Sequence, residues 1–348
     1  MKLGIIGLPG SGRSTIFEAL TGARGGEGVQ KEARADQRIS TVKVVDERVA
    51  VLEEIFKPKK TTYAQVEYLL PSDPKAGSSP KSDSMIWNQM RVCDALIHVL
   101  RNFPSLGGLP ATPSEDFWNL EENLILDDLA VAEKRLERID TDKKKGKKPD
   151  EDEHAAIRAC REHLEKGLPL RASPELRAAP SLRGFTFLSA KPQLLISNND
   201  DEDKSTPDWK DRPEDLDIMV VRGRIEREIA GMSMEEAAEF LEAYHIDRSA
   251  LDRVIRRSYR LLDLISFFTV LNDEVRAWTI PAGSHAIEAA GAVHTDMQRG
   301  FIRAEVLPFE DLKEYGSVQE AKKAGHVSLE GKDYQVRDGD IINFRFNI

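Results

Sequence analysis

Gly7-Leu8-Pro9-Gly10-Ser11-Gly12-Arg13-Ser14 is the stretch on which the fold of this chain turns. It follows an apolar run, Met1–Ile6, and precedes Ile16, Ala19 and Leu20, which recur at helical spacing before Gly22. Strand, Gly-rich turn and helix in that order have the spacing of a phosphate-binding loop, with Arg13 where lysine is expected. Glycines let backbone amides converge on phosphate oxygens, and the helix N-terminus adds partial positive charge. The Ser14 hydroxyl can serve as a weak magnesium ligand. Gly7, Gly10, Ser11, Gly12, Arg13, Ser14 and Thr15 are therefore the candidate phosphate-binding residues. Arginine keeps the charge but presents a wide planar fork where such a loop ordinarily wraps a slim ammonium, so binding is weakened without being abolished. The plain alternative is a Gly-rich connection that holds no ligand.

Downstream, Ala23–Gln37 reads as a loop, and Ile39–Val45 and Tyr63–Leu70 read as strands on either side of a short helix at Ala50–Phe56. Pro71–Ser84 is polar and rich in Pro, Gly and Ser, which predicts a mobile segment. A helix at Met85–Val92 and a buried strand at Ala95–Leu100 follow. Alternating strands and helices predict an α/β, doubly wound sheet. Between Phe117 and His163 the pattern changes to long charged helices. One carries an apolar stripe of Leu120, Leu124, Leu126, Leu129, Leu136 and Ile139, and a second runs over Glu151–Lys166. This predicts an inserted antiparallel helical hairpin. Its tip holds Lys143, Lys144, Lys145, Lys147 and Lys148. These lysines suit either a phosphate contact or a solvated tip, and charge runs usually serve solubility.

Strand character resumes at Phe185–Ser197, followed by helices at Ile225–Ala230, Ser233–Tyr244 and Ser249–Leu262. From Leu264 onward the order predicts a small mixed sheet wrapped on a helix, of the ubiquitin-like (β-grasp) type. Its strands are read at Phe267–Val270, Val275–Ile280, Phe301–Val306, Tyr334–Val336 and Ile341–Phe346, with a helix near Ala286–Ala290. The expected organisation is a first part of the nucleotide-type domain at 1–116, the hairpin at 117–172, the second part of that domain at 173–263, and the terminal domain at 264–348.

The 348 residues suffice for two or three domains. No apolar run approaches the ~20 residues of a membrane-spanning helix, and the opening strand lacks the flanks of a secretory signal. Two cysteines, Cys93 and Cys160, make neither a disulfide framework nor a cysteine metal site. The expected location is the cytoplasm, with no membrane partner. A net charge of −10 argues against indiscriminate nucleic-acid binding and sequence-specific DNA is not expected, although a local basic patch is compatible with it. Acidic residues also outnumber basic ones over Leu264–Ile348, so that domain should recognise a shaped partner rather than phosphate in general.

The loop and the C-terminal third together resemble the YchF/Obg-like ATPase family. The resemblance is carried by Leu264–Val270, Glu274–Ile280, His294-Thr295-Asp296, Arg299–Glu305, Gly331–Tyr334, Asp338-Gly339-Asp340 and Phe344–Asn347, together with Asp46-Glu47-Arg48 and Lys57–Lys60. It covers nearly the whole chain and implies a P-loop G domain, a helical hairpin insert and a terminal TGS domain. It also implies a purine nucleotide, ATP or GTP, with magnesium, and a ribosomal or other RNA–protein partner.

The departures fall on the nucleotide site. Where the family carries Asp-x-x-Gly after a strand, this chain has Leu70-Pro71-Ser72-Asp73. Leucine cannot hold a metal, and Asp73 replaces the glycine that senses the γ-phosphate. No switch threonine stands out between Gly22 and Ser40. For the base, Asn198-Asn199-Asp200-Asp201 takes the place of the family's Asn-x-x-Glu, between that pattern and the Asn-Lys-x-Asp of ordinary GTPases. Asn198 is suited to a purine edge and Asp201 to the donors of guanine; a polar strand end touching nothing is the alternative. Arg222-Gly223-Arg224 stands where the family has Ser-Ala-Lys. His98, in an apolar strand, reads as a satisfied core residue, and His294 as a loop-fixing one.

The sequence thus predicts a hydrolysis-impaired nucleotide-binding module that holds a ribosome or RNA–protein complex. A magnesium-dependent ATPase or GTPase with nucleotide-switched partner binding is the alternative.

Overall fold

The computed structural model describes residues 1–22, 30–31, 37–72, 80–105, 107–209, 212–213, 216–244, 249–271 and 273–347. In chain order the elements begin β1 (Lys2–Ile6), α1 (Arg13–Thr21), β2 (Gln30–Lys31), β3 (Arg38–Lys43), α2 (Glu47–Phe56), β4 (Lys60–Thr62) and β5 (Gln65–Leu70). Next come α3 (Pro80–Arg91), β6 (Ala95–Asn102), α4 (Pro113–Lys144), α5 (Glu151–Leu164), α6 (Pro174–Ala178), β7 (Gln193–Asn199), β8 (Ile218–Val221), α7 (Gly223–Ala230), α8 (Met234–Ala243) and α9 (Ala250–Leu261). The chain closes with β9 (Leu264–Leu271), β10 (Glu274–Pro281), α10 (Ala286–Val293), α11 (Thr295–Arg299), β11 (Phe301–Pro308), α12 (Phe309–Tyr315), α13 (Val318–Lys323), β12 (Ser328–Glu330) and β13 (Asp340–Phe346). Two units result. One comprises Met1–Val42 and Glu67–Leu251, the other Lys43–Val66 and Asp252–Ile348.

The first unit is the doubly wound α/β sheet that the sequence predicts, in the order β2-β3-β5-β1-β6-β7-β8. β1 pairs in parallel with β5 and β6, β6 with β7, and β7 with β8. The central strands are apolar on both faces because helices cover both, as parallel sheets require. Ile6, Leu69 and Leu96 pack with Met90 of α3 and with Leu120 and Leu124 of α4. The first half of α4 therefore belongs to the core of this unit. Its second half pairs with α5 through Ala132, Leu136, Ile157, Cys160 and Leu164. In the predicted stripe, Leu126 is exposed and Ile125 takes the buried place.

Several expectations change. Gln30–Lys31, inside the expected loop, pairs antiparallel with β3; most of the rest of that stretch lies outside the described residues. Of the segment read as mobile, 73–79 lie outside them too, while helix α3 already begins at Pro80. The strand expected from Phe185 begins only at Gln193. The intervening amides are taken, since Leu188 and Ser189 N–H donate to the buried Asp128 carboxylate at 2.9 and 2.7 Å. His98 is wholly buried as expected and stacks on Phe117, 5.5 Å between ring centroids. The Gln193 side chain is its polar neighbour, although among the described residues neither ring nitrogen lies in close hydrogen-bond geometry.

The second unit has a mixed sheet in the order β12-β11-β13-β9-β10-β4. α10 lays Ala286, Ala289 and Ala290 against Phe267, Ile280, Val306 and Phe344, and the small alanines allow the close approach. The predicted strand at Tyr334–Val336 is reduced to a single bridge from Gln335 to His285. β4 joins the far edge in parallel with β10.

Candidate functional site

The loop between β1 and α1 sits at the carboxyl end of the parallel strands, where doubly wound folds bind ligands. Gly7, Gly10 and Gly12 have φ of 157°, 79° and 90°. A Cβ on Gly7 would stand 2.5 Å from the Val99 carbonyl and 2.6 Å from Ser11 Oγ, so no side chain fits there. Ser11 N–H donates to the Leu8 carbonyl at 3.1 Å, and the Gly12 carbonyl accepts the first helical bond, from Ile16 N–H at 2.9 Å. Helix α1 then starts at Arg13 with no side-chain cap at Gly12, which leaves its first-turn amides for a ligand. Ser11 is 2% exposed, yet its hydroxyl has no partner among the described residues. A buried hydroxyl left unmatched in a loop of this shape suits an absent acceptor such as a phosphate oxygen. Arg13 is buried, its stem 3.2 Å from the place a Gly7 Cβ would occupy. Ser14 and Thr15 open α1 on partly exposed positions.

Asn198, near the end of β7, joins this loop to the next. Its Nδ2 donates to the Ser11 carbonyl at 3.0 Å, and its Oδ1 accepts from Gly223 N–H at 3.1 Å. Gly12 and Gly223 are both needed for this close approach. A Cβ at either would come within 2.2 and 2.6 Å of the Asn198 amide. Asn198 thus holds the loop and the start of α7 through bonds made within the protein. Asp201 is brought to the same end, with one carboxylate oxygen already bonded. Arg224 Nε donates to Asp201 Oδ2 at 2.6 Å and Arg224 Nη2 reaches the same oxygen. The bond to Asp201 raises the Arg224 pKa. The sequence placed Asn198 and Asp201 together but did not foresee this arginine tie.

Magnesium fits this donor set poorly. Leu70 ends β5 beside the loop strand, 5% exposed, and offers no oxygen to a metal. No group of three or more His, Cys, Asp or Glu side chains arranged for a metal occurs among the described residues. Magnesium takes most of its shell from water and substrate phosphates but is ordinarily anchored by one or two carboxylates, and Ser14 offers only a hydroxyl. Asp73 lies outside the described residues.

No helix among the described residues is long and apolar enough to cross a membrane.

A family model, YchF-GTPase_C, described as a protein of unknown function (DUF933), matches residues 264–347. The ribosome-binding ATPase YchF of Bacillus subtilis (strain 168) is 35% identical over 369 aligned positions, covering 100% of both chains. The protein of that name from Escherichia coli O157:H7 is 35% identical over 367, covering 100% of this chain and 99% of its own. The solved structure of the Schizosaccharomyces pombe YchF GTPase superposes with a TM-score of 0.83 at 26% identity, covering 99% of this chain and 97% of that one. Similarity of this extent, together with the loop, the Asn198 bridge and the terminal β-grasp sheet, places the chain in the YchF family.

Proposed function

We propose that this chain binds the phosphates of a purine nucleotide, ATP or GTP, at Gly7, Gly10, Ser11, Gly12, Arg13, Ser14 and Thr15. In this reading Asn198 and Asp201 face the base, hydrolysis is impaired, and the protein acts in the cytoplasm as a ribosome-associated binding module. The observation that carries it is Leu70. The strand beside the loop ends in a buried apolar side chain where the catalytic metal would need a carboxylate. Phosphoryl transfer depends on positioning and charge neutralisation, and losing donors at ~2.7–4 kcal/mol each removes most of the acceleration. Arg13 keeps a positive charge near the phosphates, which favours binding without turnover. The nucleotide then serves as a structural ligand, stabilising the fold with the logarithm of its concentration.

The ribosomal partner is inferred from the relatives, whose names include ribosome binding. Those names also include ATPase, which favours the alternative reading of an active, nucleotide-switched enzyme. We take the working parts as 1–116 and 173–263 for the nucleotide, and 117–172 and 264–348 for the partner.

Phosphate release from ATP and GTP by the purified protein, alongside a pull-down of ribosomal particles with each nucleotide, its diphosphate or none, tests the proposal. Near-background release with capture indifferent to nucleotide is expected. Robust turnover that Arg13→Ala abolishes, or capture that follows nucleotide state, overturns it.

A further inference from the structure

The first unit holds a second concavity, at the end of the sheet away from the phosphate loop. Cys93 and Asp94 precede β6 and Lys191 and Pro192 precede β7, so the cavity opens at the amino ends of the parallel strands. Its volume is about 500 Å³, inside the range of ligand pockets. Leu176, half-buried, lines it together with the buried Leu170, Leu182 and Phe187.

The wall is built by a short repeated pattern, Leu170-Arg171, Leu176-Arg177 and Leu182-Arg183, each step six residues after the last. The leucines turn toward the core and are buried or half-buried. Arg171 turns in as well, to Glu121 Oε1 at 2.7 Å. Arg177 and Arg183 instead line the cavity, are exposed, and have no ion-pair partner among the described residues. The other two cations at the cavity are committed to the protein. Arg91 is held by Asp127 and Asp128, and Lys191 Nζ donates to the carbonyls of Arg91 and Cys93 at 2.9 and 2.5 Å. Covalent chemistry is not indicated, because burial pushes the Cys93 thiol up to about 11.

We propose that this cavity is a contact site for single-stranded RNA, taking one unstacked base on its apolar floor and the flanking phosphates on Arg177 and Arg183. Guanidinium forks match phosphate in a bidentate way, and RNA is recognised chiefly through splayed bases laid on apolar, aromatic or arginine surfaces. An acidic peptide is the less suited occupant. The lining comes from the end of α3, the turns that lead into β6 and β7, and short helices, with no sheet edge among the described residues along which a strand could pair. The proposal rests on the ribosome-associated reading above. It adds where RNA would touch the chain, in a protein whose net charge of −10 calls for a local site.

The test uses the full chain and a fluorescein-labelled oligouridine RNA, followed by anisotropy over a salt series. Wild type should bind, and Arg177→Ala/Arg183→Ala should bind at least tenfold more weakly. The slope of log affinity against log salt should fall by about 1.4, from ~0.7 per single-strand phosphate contact. Both side chains are exposed and unpaired, so the thermal midpoint should hold; Arg183→Lys, which keeps the charge, should lose less. Absence of RNA binding by wild type, or equal binding by the double variant, overturns the proposal. So does loss on Lys144→Ala/Lys145→Ala instead, or displacement of the RNA by polyglutamate or inorganic phosphate as readily as by unlabelled RNA. Arginine-dependent binding of oligouridine in a protein that fails to co-sediment with ribosomes upholds this site while refuting the ribosome-associated reading.

Discussion

Asn198 donates a hydrogen bond from its side-chain amide to the carbonyl of Ser11 at 3.0 Å, linking the end of β7 to the loop 187 positions earlier in the chain. Its oxygen accepts from Gly223 at the same time. The residue is 4% exposed, so both groups depend on these partners. Asn198→Ala leaves the Ser11 carbonyl and the Gly223 amide unmatched and should cost about 1–3 kcal/mol. Gly12→Ala should also destabilise, because φ is 90° there and the added carbon meets the Asn198 amide. Urea titration of the two variants checks this. Unchanged stability in both would mean that the bridge contributes nothing.

Arg224 ties down the carboxylate suited to read guanine. The pair is partly exposed, and such pairs contribute little to stability, so its effect should appear in ligand choice instead. Arg224→Ala should free Asp201 and raise affinity for GTP several-fold relative to ATP, with the thermal midpoint unchanged. Calorimetric titration of each nucleotide gives the ratio. An unaltered ratio would place the base away from Asp201.

Magnesium should hardly strengthen nucleotide binding. With Leu70 at the strand end and Ser14 the sole hydroxyl ligand proposed, the protein supplies too few oxygens for a firmly held ion. Titrations in excess magnesium and in chelator should give affinities within about threefold, as an order of magnitude. A hundredfold gain with the metal would defeat the hydrolysis-impaired reading.

The loop and its flanking strand and helix were legible because their signals are local: glycine spacing, an apolar run before it and helical spacing after it. The Asp46-Glu47-Arg48 motif shows a different kind of legibility. Its role is structural, since Asp46 caps α2 and Arg48 Nη1 reaches Asp338 Oδ2 at 2.8 Å. The residues were recognisable in the sequence, but the partner 290 positions away was not. Long-range pairing hid β4 in the same way, for only the fold brings Thr62 to Glu274 at 2.6 Å. The arginine tie on Asp201 and the orphan hydroxyl of Ser11 depend on side-chain geometry that no spacing encodes. Leu126, apolar but exposed, shows how a one-position error in helical phase survives when Ile125 stands beside it.

The acid limb of stability should report His98. Burial, reinforced by the positive charge of Arg171, lowers its pKa to about 3, against an ordinary 6.5. A folded pKa below the unfolded one means that the unfolded chain binds more protons between those values, so stability falls as pH falls through that window. At about 1.36 kcal/mol per pH unit, the residue alone should remove roughly 2 kcal/mol between pH 7 and pH 5. His98→Leu keeps an apolar contact with Phe117 and discards the titration. The variant should therefore lose about 2 kcal/mol less than wild type over the same interval, because carboxylates elsewhere titrate equally in both proteins. Urea midpoints at the two pH values measure the difference. Parallel losses in the two proteins would mean that His98 is protonated in the folded state, with the Gln193 side chain outweighing burial.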